Sequence, residues 1–229
     1  MAERSWLHRR GRPDPQAVVV IGLGRFGTAL AETLAGLGHD VLGVDESPSR
    51  VAALRDTLSH VVEADSTDPV ALAQMGVADF DRAVVAIGGE VEASILTTAA
   101  LVDLGIKDIW AKAMTAAHAR ILDRVGAHHV VFPEAQMGER IAHLVAGRML
   151  DYLPIDAGFA LVETVAPPSL LGRSLGELGI RSRHRVTVVC VKPAGGQFTY
   201  ATPDTVLHEG DVVVVAGETS SARAFAALE

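Results

Sequence analysis

The stretch Val18-Val-Val-Ile-Gly-Leu-Gly-Arg-Phe-Gly27 constrains this chain more than any other. Residues 18–21 are apolar without a break, which predicts a strand buried on both faces. Gly22, Gly24 and Gly27 follow in G-x-G-x-x-G spacing, and residues 28–37 carry a helical period. A strand, a glycine turn and a helix in that order suit an anion. Gly22 permits a tight turn, and Gly24 lets a diphosphate approach the backbone. Gly27 lets the helix lie close to the strand, while the helix N-terminus presents unpaired N–H groups. The next apolar run ends at Asp45, the distance at which a carboxylate can hold a ribose hydroxyl. The alternative for this stretch is a tight turn with no ligand.

Strand and helix patterns then alternate. Strands are predicted at 41–44, 60–63, 83–87, 109–112 and 129–132. Helices are predicted at 48–58 with Ser47 as N-cap, at 68–75 opening on Asp68-Pro69, and at 90–104 and 116–125. Such alternation implies an α/β fold, a Rossmann-like doubly wound parallel sheet. After Pro133 a longer helix is expected, with Ile141, Leu144, Val145, Met149 and Leu150 on its apolar face. It reads as a crossover whose exposed face suits a second subunit. From residue 155 the texture changes. Alternation at 159–165, strands at 186–191 and 211–216, a Gly195-Gly196 turn and a helix at 220–228 predict a small α+β domain. The expected organisation is a flexible tail at 1–15, a nucleotide-binding domain at 16–133, a crossover helix and linker at 134–154, and a C-terminal domain at 155–229.

Composition narrows the function. At 229 residues and a net charge of −8, Lys and Arg cluster only between Arg4 and Arg12 and between Arg181 and Arg185, which disfavours nucleic acid as a partner. Apolar runs fall well short of the ~20 residues that cross a bilayer. Residues 1–15 lack the apolar segment of a secretory signal. Cys190 is the single cysteine, which excludes an internal disulfide and suits a reducing compartment; it reads as a small buried hydrophobe. His128 and His129 on one strand would face opposite ways, against a metal site. An oxidoreductase would need a proton-transfer group beside a nicotinamide. The Tyr-x-x-x-Lys pair is missing, since Tyr152 is followed four places on by Asp156 and Tyr200 by Asp204. A regulator rather than an enzyme is the expectation.

Further words accompany the glycine motif: Val44-Asp45, Ala64-Asp65, Val85-Ala-Ile-Gly88, Ser94-Ile-Leu-Thr-Thr98, Lys112-Ala113, Gly126-Ala127, Pro133-Glu134 and Met137-Gly138. Beyond the crossover come Leu171-Gly-Arg-Ser-Leu175, Leu178 and the turn from Leu207 through Glu209-Gly-Asp211. With these the chain, from about Ala17 to Glu229, resembles the regulatory subunits of bacterial Ktr and Trk potassium uptake systems. Those pair an RCK (TrkA-N) domain with a small TrkA-C domain. The resemblance implies a cytoplasmic homodimer assembling to an octameric ring. That ring would lie peripherally at the inner face of the membrane, bound to a potassium-translocating subunit of the KtrB or TrkH kind. Nucleotide would reshape the ring and so control K⁺ flux.

Carried over residue by residue, Gly22, Gly24, Phe26 and Gly27 resemble the diphosphate loop and Asp45 the ribose acid. Asp65 resembles an acid near the adenine, while Ala86, Ile87 and Gly88 would line the far side of the phosphates. Arg25 would reach phosphates as a planar fork that Lys cannot imitate. Lys112 is either an electrostatic aid or a surface lysine. Glu134 resembles an acid holding a cation (Mg²⁺, Ca²⁺ or Na⁺) at the terminal phosphates; otherwise it favours a helix N-terminus. Arg25 with Glu134 tilts the ligand toward ATP/ADP, with NAD(H) the alternative. Asp45-Glu46 would disfavour a 2′-phosphate. In the C-terminal domain, Ile180, Arg181, His184 and Pro203 fall near positions that hold cyclic di-AMP in relatives, although Arg183-His184-Arg185 departs from the motif.

Overall fold

A computed structural model of the protein describes residues 17–146 and 149–229; the expected tail at 1–15 lies outside the described residues. The chain divides into two compact units, one ending at Pro133 and the other beginning at Glu134.

In the first unit six strands alternate with helices: β1 (Val18–Ile21), α1 (Arg25–Gly36), β2 (Val41–Asp45), α2 (Pro48–Leu54), β3 (His60–Glu63), α3 (Pro69–Gln74), β4 (Arg82–Val85), α4 (Val91–Asp103), β5 (Asp108–Lys112), α5 (Ala116–Val125) and β6 (His129–Val131). All the pairings are parallel, in the order β3-β2-β1-β4-β5-β6. This is the doubly wound arrangement, and strand order reverses between β1 and β4, where such sheets open a crevice for a ligand. Alternation in β1 explains the burial on both faces. Val19 and Ile21 join one core with Leu42, Val85, Ile109 and Leu122. Val18 and Val20 join another with Leu23, Ala31 and Leu54.

Local chemistry sets the helix ends. The Asp68 carboxylate accepts the Val70 N–H at 2.8 Å and Pro69 opens α3, a cap that satisfies an otherwise orphaned donor. Thr115 caps α5 by accepting the His118 N–H, and Gly126 ends it at φ +115°. Ser47 precedes α2 but its side chain makes no cap bond; the hydroxyl meets Ser49 instead. Helix α4 buries Ser94, Thr97 and Thr98. Thr98 bonds back to the Ser94 carbonyl and Thr97 meets Ser66 across elements, so this polar face is largely satisfied internally.

The second unit opens with α6 (Pro133–Ala146) and continues with β7 (Met149–Asp156), β8 (Phe159–Val165), α7 (Leu175–Leu178), α8 (Ile180–His184), β9 (Val186–Lys192), β10 (Thr199–Tyr200), β11 (Val212–Glu218) and α9 (Thr219–Ala226). Its antiparallel sheet runs β10-β9-β11-β8-β7. The core gathers Tyr152, Val162, Leu178, Val186, Val213, Val215 and Phe225.

Two expectations are corrected here. Met149 and Leu150 are not on the crossover helix; they open β7, which pairs with β8. The turn between these strands contains Gly158 at φ +89°. Pro154, which lacks an N–H, is tolerated because β7 is an edge strand. Cys190 is half-buried rather than buried. The β9–β11 register shifts between Val214 and Val215, and Val189 has no partner in that register. Such a bulge turns the following side chain to the other face, so Val191 reaches the core and Cys190 does not.

Candidate nucleotide-binding site

The site where strand order reverses, at the C-terminal ends of β1 and β4, is built by backbone first. The Gly22 N–H donates to the Val44 carbonyl at 2.8 Å, and the Ala86 N–H to the Ile21 carbonyl at 2.7 Å. Gly22 sits at φ +92°, and a Cβ there would lie 3.0 Å from the Ile87 nitrogen. At Gly27 a Cβ would fall 1.8 Å from the Gly22 carbonyl oxygen and 3.1 Å from the Ala86 Cβ. Strand, loop and helix therefore close on each other only because two residues lack a side chain. Gly24 is different. It is the N-cap of α1, and a Cβ there would meet nothing within 4 Å. The open space lies where the first N–H groups of α1, lacking partners within the helix, favour an anion.

Asp45 is buried at the end of β2. Its Oδ2 accepts the Leu23 N–H at 2.6 Å and its Oδ1 the Ser47 N–H at 2.8 Å. The carboxylate thus braces the glycine loop from a position 22 residues away. Arg50, half-exposed on α2, stands 3.4 Å from both oxygens through one terminal nitrogen. Sequence reasoning passed over Arg50; its place five residues beyond Asp45, one turn into a helix opened by Pro48, was the available signal.

Cationic groups flank the loop. Lys112 is buried, with Nζ 5.7 Å from the Phe26 ring centroid. A Cβ on Gly88 would come within 2.9 Å of that nitrogen. Of the two readings of Lys112, the surface lysine is excluded by its burial. Arg25 is exposed in the first turn of α1. Asp65 is exposed just after β3, and the Thr67 hydroxyl and N–H hold its carboxyl below the usual carboxylate range. Glu134 lies in the first turn of α6 and belongs to the second unit. Among the described residues no group of three or more His, Cys, Asp or Glu stands together as a metal site.

In the second unit Ile180, Arg181 and Pro203 line an open depression of about 670 Å³, together with Val188 and Ala201. Arg181 donates from Nε to the Thr187 hydroxyl at 3.2 Å. His184, expected beside them, does not line it; its ring packs edge-on against Phe225 at 5.7 Å, because the last turn of α8 faces α9. His128 and His129 also find separate structural partners. His128 Nδ1 accepts the Ile109 N–H, while His129 stacks on Trp110 at 4.1 Å and meets Asp108.

The TrkA-N domain family matches residues 18–133 and the TrkA-C domain family residues 160–229. The chain is 37% identical over 207 residues to the Ktr system potassium uptake protein C of Bacillus subtilis (strain 168), covering 90% of this chain and 94% of that one. It is 36% identical over 201 residues to the Ktr system potassium uptake protein A of Vibrio alginolyticus, covering 86% and 90%. Among solved structures the GsuK channel has a similar fold, with a TM-score of 0.65 at 21% identity. That likeness covers 99% of this chain and 43% of the channel chain, so this chain spans less than half of the latter's length. Both domain families in this order, with identity sustained along nearly the whole of two Ktr proteins, mean that the chain belongs to the Ktr/Trk family of potassium uptake proteins.

Proposed function

We propose that this protein is a nucleotide-sensing regulatory subunit of potassium uptake, in which ATP or ADP bound at the β1–β4 crevice controls K⁺ flux through a separate membrane subunit. The observation that carries the ligand class is the open space beside Gly24 at a helix N-terminus, with buried Lys112 over the ring of Phe26 two residues on. A negatively charged diphosphate fits such a place, and a carboxylate at Asp45 fits the ribose. Gly22, Gly24, Phe26 and Gly27 take the phosphates in this reading, with Arg25 at their outer end and Ala86 to Gly88 opposite.

The crevice serves binding and regulation, with no catalysis assigned to it. Among the described residues no helix is long and apolar enough to cross a membrane; in this reading the K⁺ path belongs to the membrane subunit, with this protein acting at its cytoplasmic face as a ring of dimers. A ligand moves such an assembly only by its differential affinity for two shapes, typically ~1–3 kcal/mol per coupled pair. In the second unit, the depression beside Arg181 is the proposed seat for cyclic di-AMP, and Arg181→Ala should abolish its retention in filter binding.

Isothermal calorimetry with ATP, ADP and NADH tests the main reading. Saturable binding of ATP and ADP is expected. Tight NADH binding without ATP or ADP would replace it with a dinucleotide sensor.

A further inference from the structure

Asp45 carries two kinds of partner. Its buried oxygens receive two short backbone bonds, from Leu23 and Ser47, and two long ones of 3.4 Å from a single Arg50 nitrogen. An ionised carboxylate has about four acceptor positions. The backbone takes two, and the Arg50 guanidinium covers what remains. A ribose cis-diol brings two hydroxyl donors, which is the capacity that Arg50 occupies. The Arg50 side chain is 54% exposed while that of Asp45 is 2% exposed. The arginine can therefore swing into solvent, and the carboxylate cannot move without releasing the loop.

Resting on the nucleotide reading above, we propose that Arg50 is a displaceable stand-in for the ribose: it caps the Asp45 carboxylate, and the 2′- and 3′-hydroxyls must replace it. Arg50 then acts as a selectivity element. A nucleotide with both hydroxyls satisfies the carboxylate that it uncovers. One lacking them leaves Arg50 in place and gains nothing at this end of the site.

The test compares the full chain with Arg50→Ala and Arg50→Lys, titrating ATP and 2′,3′-dideoxy-ATP by calorimetry. Because the displaced contact is an exposed ion pair, Arg50→Ala should tighten ATP binding by about two- to fivefold. It should not tighten the dideoxy analogue, and Arg50→Lys should fall between. The ATP gain should shrink as salt is raised, since screening already loosens the pair in the parent protein. ATP binding that is unchanged or weaker in Arg50→Ala, or equal tightening of both ligands, would overturn the proposal while leaving the nucleotide reading intact. A parent protein that binds none of ATP, ADP and NADH would overturn both.

Discussion

At the scale of single residues, one added carbon separates the three glycines of the loop. Gly27→Ala would place a Cβ against the Gly22 carbonyl, a backbone collision that no rotamer relieves. It should destabilise the first unit by about 3 kcal/mol, the upper end for overpacking, visible as a lower denaturation midpoint. Gly24→Asp should behave oppositely. It fills open space at an N-cap, where Asp is favoured, so the unliganded protein should melt no lower than the parent. The new carboxylate would face phosphate, and like charges in contact cost several kcal/mol. ATP affinity should drop more than about 100-fold; retained affinity would place the ligand elsewhere. The glycines were legible in the sequence because their spacing records backbone geometry directly. Arg50 was not, since its contact with Asp45 depends on how β2 hands over to α2. The burial of Lys112 was equally hidden, because a lysine at a strand end looks the same whether or not Phe26 covers it.

At the scale of elements, α6 is fastened to the C-terminal sheet. Arg140 donates from Nε and Nη2 to both oxygens of Asp151, at 2.9 and 2.7 Å, tying the helix to β7. His143 packs against Tyr152 at 4.0 Å and lies 2.9 Å from an Arg223 nitrogen on α9. The Arg140 bond holds the Asp151 carboxyl below the ordinary 3.8. A depressed carboxyl stabilises the fold above its unfolded pKa, and that contribution is lost as pH falls through the folded one. Arg140→Ala should therefore melt lower than the parent at neutral pH, and the gap should close on acidification below 3.8. A gap that persisted in acid would mean that the arginine acts by packing. His118 works in the same direction, since burial keeps its imidazole below the ordinary 6.5; its support for the fold fades as pH drops under that value. Strand β7 escaped the sequence reading for a definable reason. Met149 falls in phase with Ile141 and Val145 on a helical wheel, while the strand's outer residues, Leu153 and Ile155, are exposed. An edge strand buries too little to print a two-residue period. The centre of the parallel sheet, by contrast, was plainly legible, because β1 and β2 are buried along their length and strands buried on both faces must be largely apolar.

At the scale of the molecule, the hydrophobic cores are divided between two units at Pro133 and Glu134, two in the first and one in the second, and the proposed nucleotide site lies in the first. Ligand should therefore protect one unit preferentially. ATP at 100 times its dissociation constant should stabilise the first unit by about 2.7 kcal/mol. Hydrogen exchange should slow in β1, β2 and β4, whereas β8 and β11 change less in a preparation held monomeric by dilution. Uniform protection of both sheets under those conditions would contradict this division. The bond from Leu23 to Asp45 carries the furthest consequence. On the proposed reading, a loop braced by Asp45 would have little of its own shape left to assemble on binding phosphate. The free energy of capture would then remain available for displacing neighbouring subunits, which is what a relay, as opposed to a store, requires.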